Sequence, residues 1–199
     1  MDFSLNEDQL ALREAVRRFC DGTYPAHRRG DAETPEVAAE RWAGMAEMGL
    51  LGLPFAAEFG GSAQSAVEAM LVAEAFGRSL GGHGYLASVV LAGQLLAQVA
   101  SAAQQQRWLP RLAAGRARLA FAFSEGDARY ELARVATRAE PCGAGYVLQS
   151  RKTLVLDGEA ADLILVLART AGGVAERAGR TLFAVPAHEG GVAVQGVDT

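Results

Sequence analysis

Cysteine is nearly absent: only Cys20 and Cys142 occur, far apart in the chain. Their spacing matches no metal-binding pattern and builds no disulfide scaffold, so both are expected as separate reduced thiols. Histidine is also scarce. His27, His83 and His188 stand alone, with no carboxylate or cysteine at ligand spacing, which leaves no metal site to assign. Positive charge is not in excess, because 19 Lys and Arg face 23 Asp and Glu for a net charge of −4. The missing basic footprint argues against nucleic acid as a main partner. Long apolar runs are missing too. Leu86 to Ala100 is interrupted by Gln94 and Gln98 and falls short of the roughly 20 residues that span a membrane. The opening MDFSLNEDQL is acidic and begins a helical pattern, unlike a secretory signal. These absences lead to the expectation of a soluble, cytoplasmic protein.

What is present changes character halfway. Ser4 with Glu7 has the S-x-x-E capping pattern, and Leu12, Val16 and Phe19 follow at helical spacing until Gly22 and Pro25. A second helix is predicted from Pro35 to Met48, with Trp42, Met45 and Met48 near one face and Gly49 at its end. A loop, LLGLPFAAEFGG, comes next. A third helix over Ser65–Arg78 is expected to bury Val67, Met70, Leu71 and Phe76, a fourth to cover Tyr85–Val99 and a fifth Ala102–Ala114. The fifth turns Trp108, Leu109 and Leu112 toward a core, and Pro110 inside it bends or shortens it.

After Gly115 the period shortens. LAFAFSE, RVATRAE, GYVLQSRKTLVLDG, ADLILVLART, TLFAVPA and GVAVQGV read as short strands separated by turn residues. Pro141 to Gly145 marks a hairpin turn, and DLILVLA is apolar enough to be buried on both faces. Strands with no helices between them predict a small antiparallel β-barrel. The fold class expected is therefore multidomain α+β, an all-α domain over residues 1–116 and a β-barrel domain over 117–199, the latter incomplete at its C-terminal end.

Taken singly, the polar residues suggest little chemistry. GHGYLA, Gly82 to Ala87, matches a loose dinucleotide fingerprint, but a helix precedes it and no acid lies about 20 positions on. Ser62, Ser124 and Ser150 lack a nucleophile elbow or a helping histidine. Glu125 and Asp127 read as a solvated turn, Lys152 as a surface cation, and Glu74 as a loop cap or an arginine partner.

The order of segments carries more. FSLNEDQLALREAVRRF, WAGMAEMGLLGLPFAAEFGG, VAEAFGRSLG, QQQRWLPRLAAGRARLAFAFSE and TRAEPCGAGYVLQSRKTLVLDGEAADLILVLART together resemble the acyl-CoA dehydrogenase family across essentially the whole chain. The resemblance implies a helical domain, a β-barrel and then a helical bundle that these residues do not include. It also implies a flavin-dependent enzyme that oxidises an acyl-CoA thioester to the α,β-enoyl-CoA. A carboxylate takes the α-proton, and the β-hydrogen leaves as hydride to FAD.

Carried onto this sequence, the family's A-x-T-E-P strand end is Ala122-Phe123-Ser124-Glu125-Gly126. The resemblance then makes Phe121, Phe123 and Ser124 cofactor-binding residues. The family's second flavin strand aligns with KTLVLDG, which adds Leu154 and Leu156 on one strand face. Tyr130 falls on the substrate side, and Ala87 and Leu91 align with the acyl-pocket helix. No acid of this chain is assigned as the catalytic base, and no residue as a metal ligand. Implied partners are the acyl-CoA, an electron-transfer flavoprotein and further subunits in a homo- or hetero-oligomer.

SEGDARYE and LVLDG depart from the family's usual wording and resemble divergent bacterial members, such as the small subunit of pimeloyl-CoA dehydrogenase. Leu156 stands where a threonine would donate a hydrogen bond to the flavin. Two readings stay open, with an unrelated acyl-binding module that holds no flavin as a remote third. One is a fragment of the enzyme lacking the domain with the base; the other is a non-catalytic structural subunit of a heteromeric dehydrogenase.

Overall fold

The computed structural model describes residues 4–25, 33–129 and 131–197. The chain divides into two compact units, Met1–Ala117 and Arg118–Thr199.

The first unit is helical. α1 spans Glu7–Thr23, and its capping box is made by Asn6 and Gln9 rather than by Ser4 and Glu7. The Gln9 N–H donates to the Asn6 side chain at 2.8 Å, and the Asn6 N–H donates back to the Gln9 side chain at 3.1 Å. Starting there leaves Glu7 and Asp8 in the first turn, where the helix dipole favours negative charge. α2 spans Pro35–Glu47, with Thr34 as its N-cap and a proline in the first turn. Its Trp42 and Met45 are buried, while Met48 is exposed. Two 3-10 turns, Leu50–Gly52 and Ala57–Phe59, follow. They end against Gly61, where a Cβ would lie 2.1 Å from the Phe55 carbonyl oxygen, so no larger residue fits.

α3 spans Ala66–Ser79 and is capped reciprocally by Ser65 and Glu68. Leu71 and Phe76 are buried as expected, but Val67 and Met70 are 39% and 54% exposed. The helix instead buries Glu68, Ala69, Val72, Ala75 and Ser79, so its inner face is rotated from the sequence reading. The alanines make this possible, since they pack on either face, and the one large polar group buried there, Glu68, accepts hydrogen bonds from Gln9 and Ser65. The single helix expected over Tyr85–Val99 is a π-helical segment, Tyr85–Gly93, running into α4, Gln94–Val99. α5, Ala102–Ala113, is capped by Ser101 and Gln104 and buries Trp108, Leu109 and Leu112.

The second unit is a five-stranded sheet. β1 is Leu119–Ala122, β2 Arg138–Cys142, β3 Gly145–Gln149, β4 Leu163–Arg169 and β5 Arg180–Pro186. β2 and β3 form the expected hairpin, with Cys142 opposite Gly145 and Gly143 at φ 58° in the turn. β4 lies at the centre and is buried along almost its whole length. β5 pairs with it antiparallel. β1 pairs with it parallel, Leu119 opposite Leu163 through Ala122 opposite Val166, and β2 joins it parallel at Arg138 opposite Arg169.

The expected antiparallel barrel is thus corrected to an open, mixed sheet among the described residues. β1 and β4 can pair parallel because the β2–β3 hairpin and the segment after it connect them, in place of the helix that more often supplies the crossover. The segments KTLVLDG and GVAVQGV, read as strands, are not in the sheet. Ala120, Ala122, Ala161, Ile164 and Val166 form a core, with Leu148, Val155 and Val185 packed against it.

Candidate functional site

Alternation along β1 sets up the site. Ala120 and Ala122 pack into the core of the second unit, so the odd residues face the other way. Phe121 and Phe123 are half-buried there, ring centroids 4.9 Å apart and tilted by 34°. Ser124 follows, half-buried, and among the described residues its hydroxyl makes no hydrogen bond.

The next residue is the centre of a buried polar network. The Glu125 carboxylate accepts from the Ala136 N–H at 2.7 Å, the Thr137 N–H at 3.0 Å, the Thr137 hydroxyl at 2.6 Å and Lys152 Nζ at 2.7 Å. The Thr137 hydroxyl also bonds Ser150 Oγ at 2.9 Å. The side chains of Lys152 and Glu125 are 6% and 9% exposed, so neither is the solvated charge expected from sequence. Asp127, in the 3-10 turn Gly126–Ala128, is exposed as expected.

Burial raises the Glu125 carboxyl, but the bonds from Lys152, Thr137 and Ala136 outweigh it and bring it down to about 2. Burial pushes the Lys152 ammonium down, against the opposing pull of Glu125. A depressed carboxyl binds fewer protons folded than unfolded. Its contribution to stability is complete above pH 4.5 and is lost as pH falls toward about 2. Glu125 is therefore expected to remain ionised at pH 3 when its side-chain carbon is followed by NMR. A midpoint near 4.5 would contradict the network.

Two cross-links join the site's segments. Thr153 donates its N–H to the Ser124 carbonyl at 3.0 Å, and Lys152 reaches Glu125 at the adjoining position. The structure thereby brings Ser124 beside the segment that leads into Leu154. Leu154 and Leu156 do not share a strand face, because no strand forms over 151–155. Leu154 instead has φ 54° and is 81% exposed, and Leu156 is 51% exposed. A β-branch-free leucine can enter the left-handed region, at a strain of roughly 1–2 kcal/mol.

Tyr130 lies outside the described residues. Ala87 and Leu91 sit on the π-helical segment of the first unit, Ala87 buried and Leu91 partly exposed. Glu74 lines a small cleft between α1 and α3 with Arg13, Arg17 and Arg78. His83 pairs with Glu33 at 2.8 Å, and His27 lies outside the described residues.

Sequence reasoning missed Arg169, which ends β4 and is 1% exposed. Its guanidinium donates to the carbonyls of Val135, Ala171, Val174, Glu176 and Ala178 at 2.8–3.2 Å. The available signal was a charge closing a fully apolar strand, a position where it must be either solvated or fully bonded.

Comparison with known proteins follows the two units closely. Residues 6–116 match the family model described as acyl-CoA dehydrogenase, N-terminal domain, and residues 120–199 match acyl-CoA dehydrogenase, middle domain. The chain is 30% identical to the probable acyl-CoA dehydrogenase YngJ of Bacillus subtilis, over 85% of this chain and 45% of that protein. Among solved structures, the ChsE4-ChsE5 complex of Mycobacterium tuberculosis aligns with TM-score 0.80 at 26% identity, over 94% of this chain and 49% of that one. A glutaryl-CoA dehydrogenase of Mycobacterium smegmatis in complex with FADH2 aligns with TM-score 0.78 at 26% identity, over 94% and 47%. The chain spans about half the length of the curated relatives it matches. No helix among the described residues is long and apolar enough to cross a membrane.

Proposed function

This chain belongs to the acyl-CoA dehydrogenase family, and on that premise we propose that it is part of a flavin-dependent enzyme converting an acyl-CoA thioester to its α,β-enoyl-CoA. The observation that carries the reading is the convergence of segments 124–125 and 152–153 beside an aromatic pair. The residues present fit FAD: half-buried rings, a hydroxyl with no partner among the described residues and exposed leucines suit a flat aromatic group with polar edges. FAD, when bound, supplies the acceptor for the β-hydrogen as hydride.

Phe121 and Phe123 present apolar surface to the cofactor and exclude water, and Ser124 supplies a hydrogen-bond donor. Leu154 and Leu156 cover it without donating. Tyr130, Ala87 and Leu91 belong to the substrate side in this reading. Glu125 does not take the α-proton. Its carboxylate already accepts four hydrogen bonds, and a group held at about 2 is a weak base. The base is therefore a carboxylate outside the residues assigned here. In the same reading the protein works in the cytoplasm within a homo- or hetero-oligomer and passes electrons to an electron-transfer flavoprotein, in keeping with its free Cys20 and Cys142.

A non-catalytic subunit of a heteromeric dehydrogenase is the second reading, favoured by Leu156, whose side chain has no donor to offer a flavin. An anaerobic visible spectrum of the full-length protein with FAD, before and after acyl-CoA, separates the two. A yellow protein that bleaches with an acyl-CoA is the expected result, and Ser124→Ala is expected to weaken FAD binding about fivefold, the equivalent of one hydrogen bond. Colourless protein after reconstitution, unbleached by short, branched or long acyl-CoA, would leave the structural subunit.

A further inference from the structure

The geometry points to Glu125 and Lys152 as positioning residues that set the flavin-facing edge by locking segment 152–154 against Ser124. This rests on the FAD reading above.

The segment from 151 to 155 has no ladder to hold it. Its anchors among the described residues are the Thr153 N–H on the Ser124 carbonyl, Lys152 on Glu125, and the packing of Val155 on the core. Ser150, just before it, is tied to Thr137 and through that hydroxyl to the same carboxylate. Glu125 is thus the point where three stretches of chain meet: the end of β1, residues 136–137 and residues 150–153. Immediately beyond the last anchor, Leu154 turns into the left-handed region and projects outward. The pair therefore decides where Leu154 stands relative to Ser124 and the two rings.

Stability alone is a poor reason for such a pair. Desolvating a carboxylate and an ammonium together costs about as much as their attraction returns, and apolar residues of similar volume often serve stability as well. What charge and direction add is a fixed geometry. The Lys152 ammonium is a compact point donor, and it sits on an oxygen that also accepts from the Thr137 N–H and hydroxyl. That oxygen has little freedom to move.

The test uses the full-length protein and the variants Lys152→Met and Thr137→Val, the latter removing one hydroxyl from Glu125 while leaving the ion pair. Amide exchange at Thr153 is measured in the apoprotein against amides of β4, and FAD dissociation constants are measured by flavin fluorescence. For Lys152→Met, exchange at Thr153 is expected to rise at least tenfold more than at Leu165, FAD to bind about tenfold more weakly, and the bound flavin's visible band to change shape. Thr137→Val is expected to show the same pattern at about threefold, which keeps the test decisive if Lys152→Met does not fold. Lys152→Arg should restore part of the affinity. Folded variants with wild-type exchange at Thr153, or with faster exchange but wild-type FAD affinity and spectrum, would overturn the positioning role. Wild-type protein that binds no FAD overturns the flavin reading itself, and the positioning role falls with it. The exchange arm would then report on segment packing alone.

Discussion

Replacing Lys152 with methionine is expected to cost the second unit about 3–5 kcal/mol. The methionine fills most of the lysine's volume, so packing changes little. The loss comes from Glu125, whose carboxylate remains buried with the backbone and hydroxyl bonds from Ala136 and Thr137 but without a counter-charge. Breaking a buried pair from one side costs more than the pair contributes, because the remaining charge keeps its desolvation penalty. Urea unfolding of the wild type and the variant at pH 7, followed by circular dichroism, measures the difference. A change below about 1 kcal/mol would place the pair in the class of solvated surface bridges, contrary to its burial.

Arg169→Ala is expected to be as damaging, about 3–5 kcal/mol, for a different reason. Five charge-assisted hydrogen bonds disappear together, and a large side chain leaves a void at the end of β4. Four of the carbonyls belong to residues 171–178, between β4 and β5. Those can regain water once the loop opens, so the loop should become the first site of protease cleavage. Arg169→Lys keeps the charge but has three donors on one nitrogen and cannot reproduce a five-point fork. It is expected to lose about 1–2 kcal/mol and to loosen the same loop. Unfolding midpoints together with limited proteolysis check both variants. Equal stability of Arg169→Ala and wild type would show that the clamp contributes nothing.

The helical unit was legible to within a turn almost everywhere. Thr34-Pro35, Ser65 and Ser101 mark helix starts through side-chain oxygens next to the first free amides. The misreadings there have simple causes. Asn6 and Gln9 form the same reciprocal cap as Ser4 and Glu7 were expected to form. Along α3, alanines blur the boundary between faces, so Val67 and Met70 were placed inward when the helix turns them out.

The candidate site was legible in its parts and not in its wiring. Phe121, Phe123 and Ser124 could be named from strand alternation and family resemblance. The resemblance also named Leu154 and Leu156, but the strand they were to share is absent. Glu125 and Lys152 were each read as ordinary surface charges, and Arg169 was passed over. Nothing local distinguishes a charge that will find a partner 27 residues away from one that will face water.

By itself, then, the sequence determined most of the helix starts, the β2–β3 hairpin and the apolar β4. Each of these depends on capping, periodicity or turn chemistry acting over a few neighbouring residues. Only the tertiary structure decided that β1 and β2 run parallel to β4, that Glu125 gathers three segments, and that Arg169 closes a loop on five carbonyls. Those arrangements join residues distant in the chain, and they are selected by burial. A charge or a strand edge taken out of water must find its partner wherever the fold brings one.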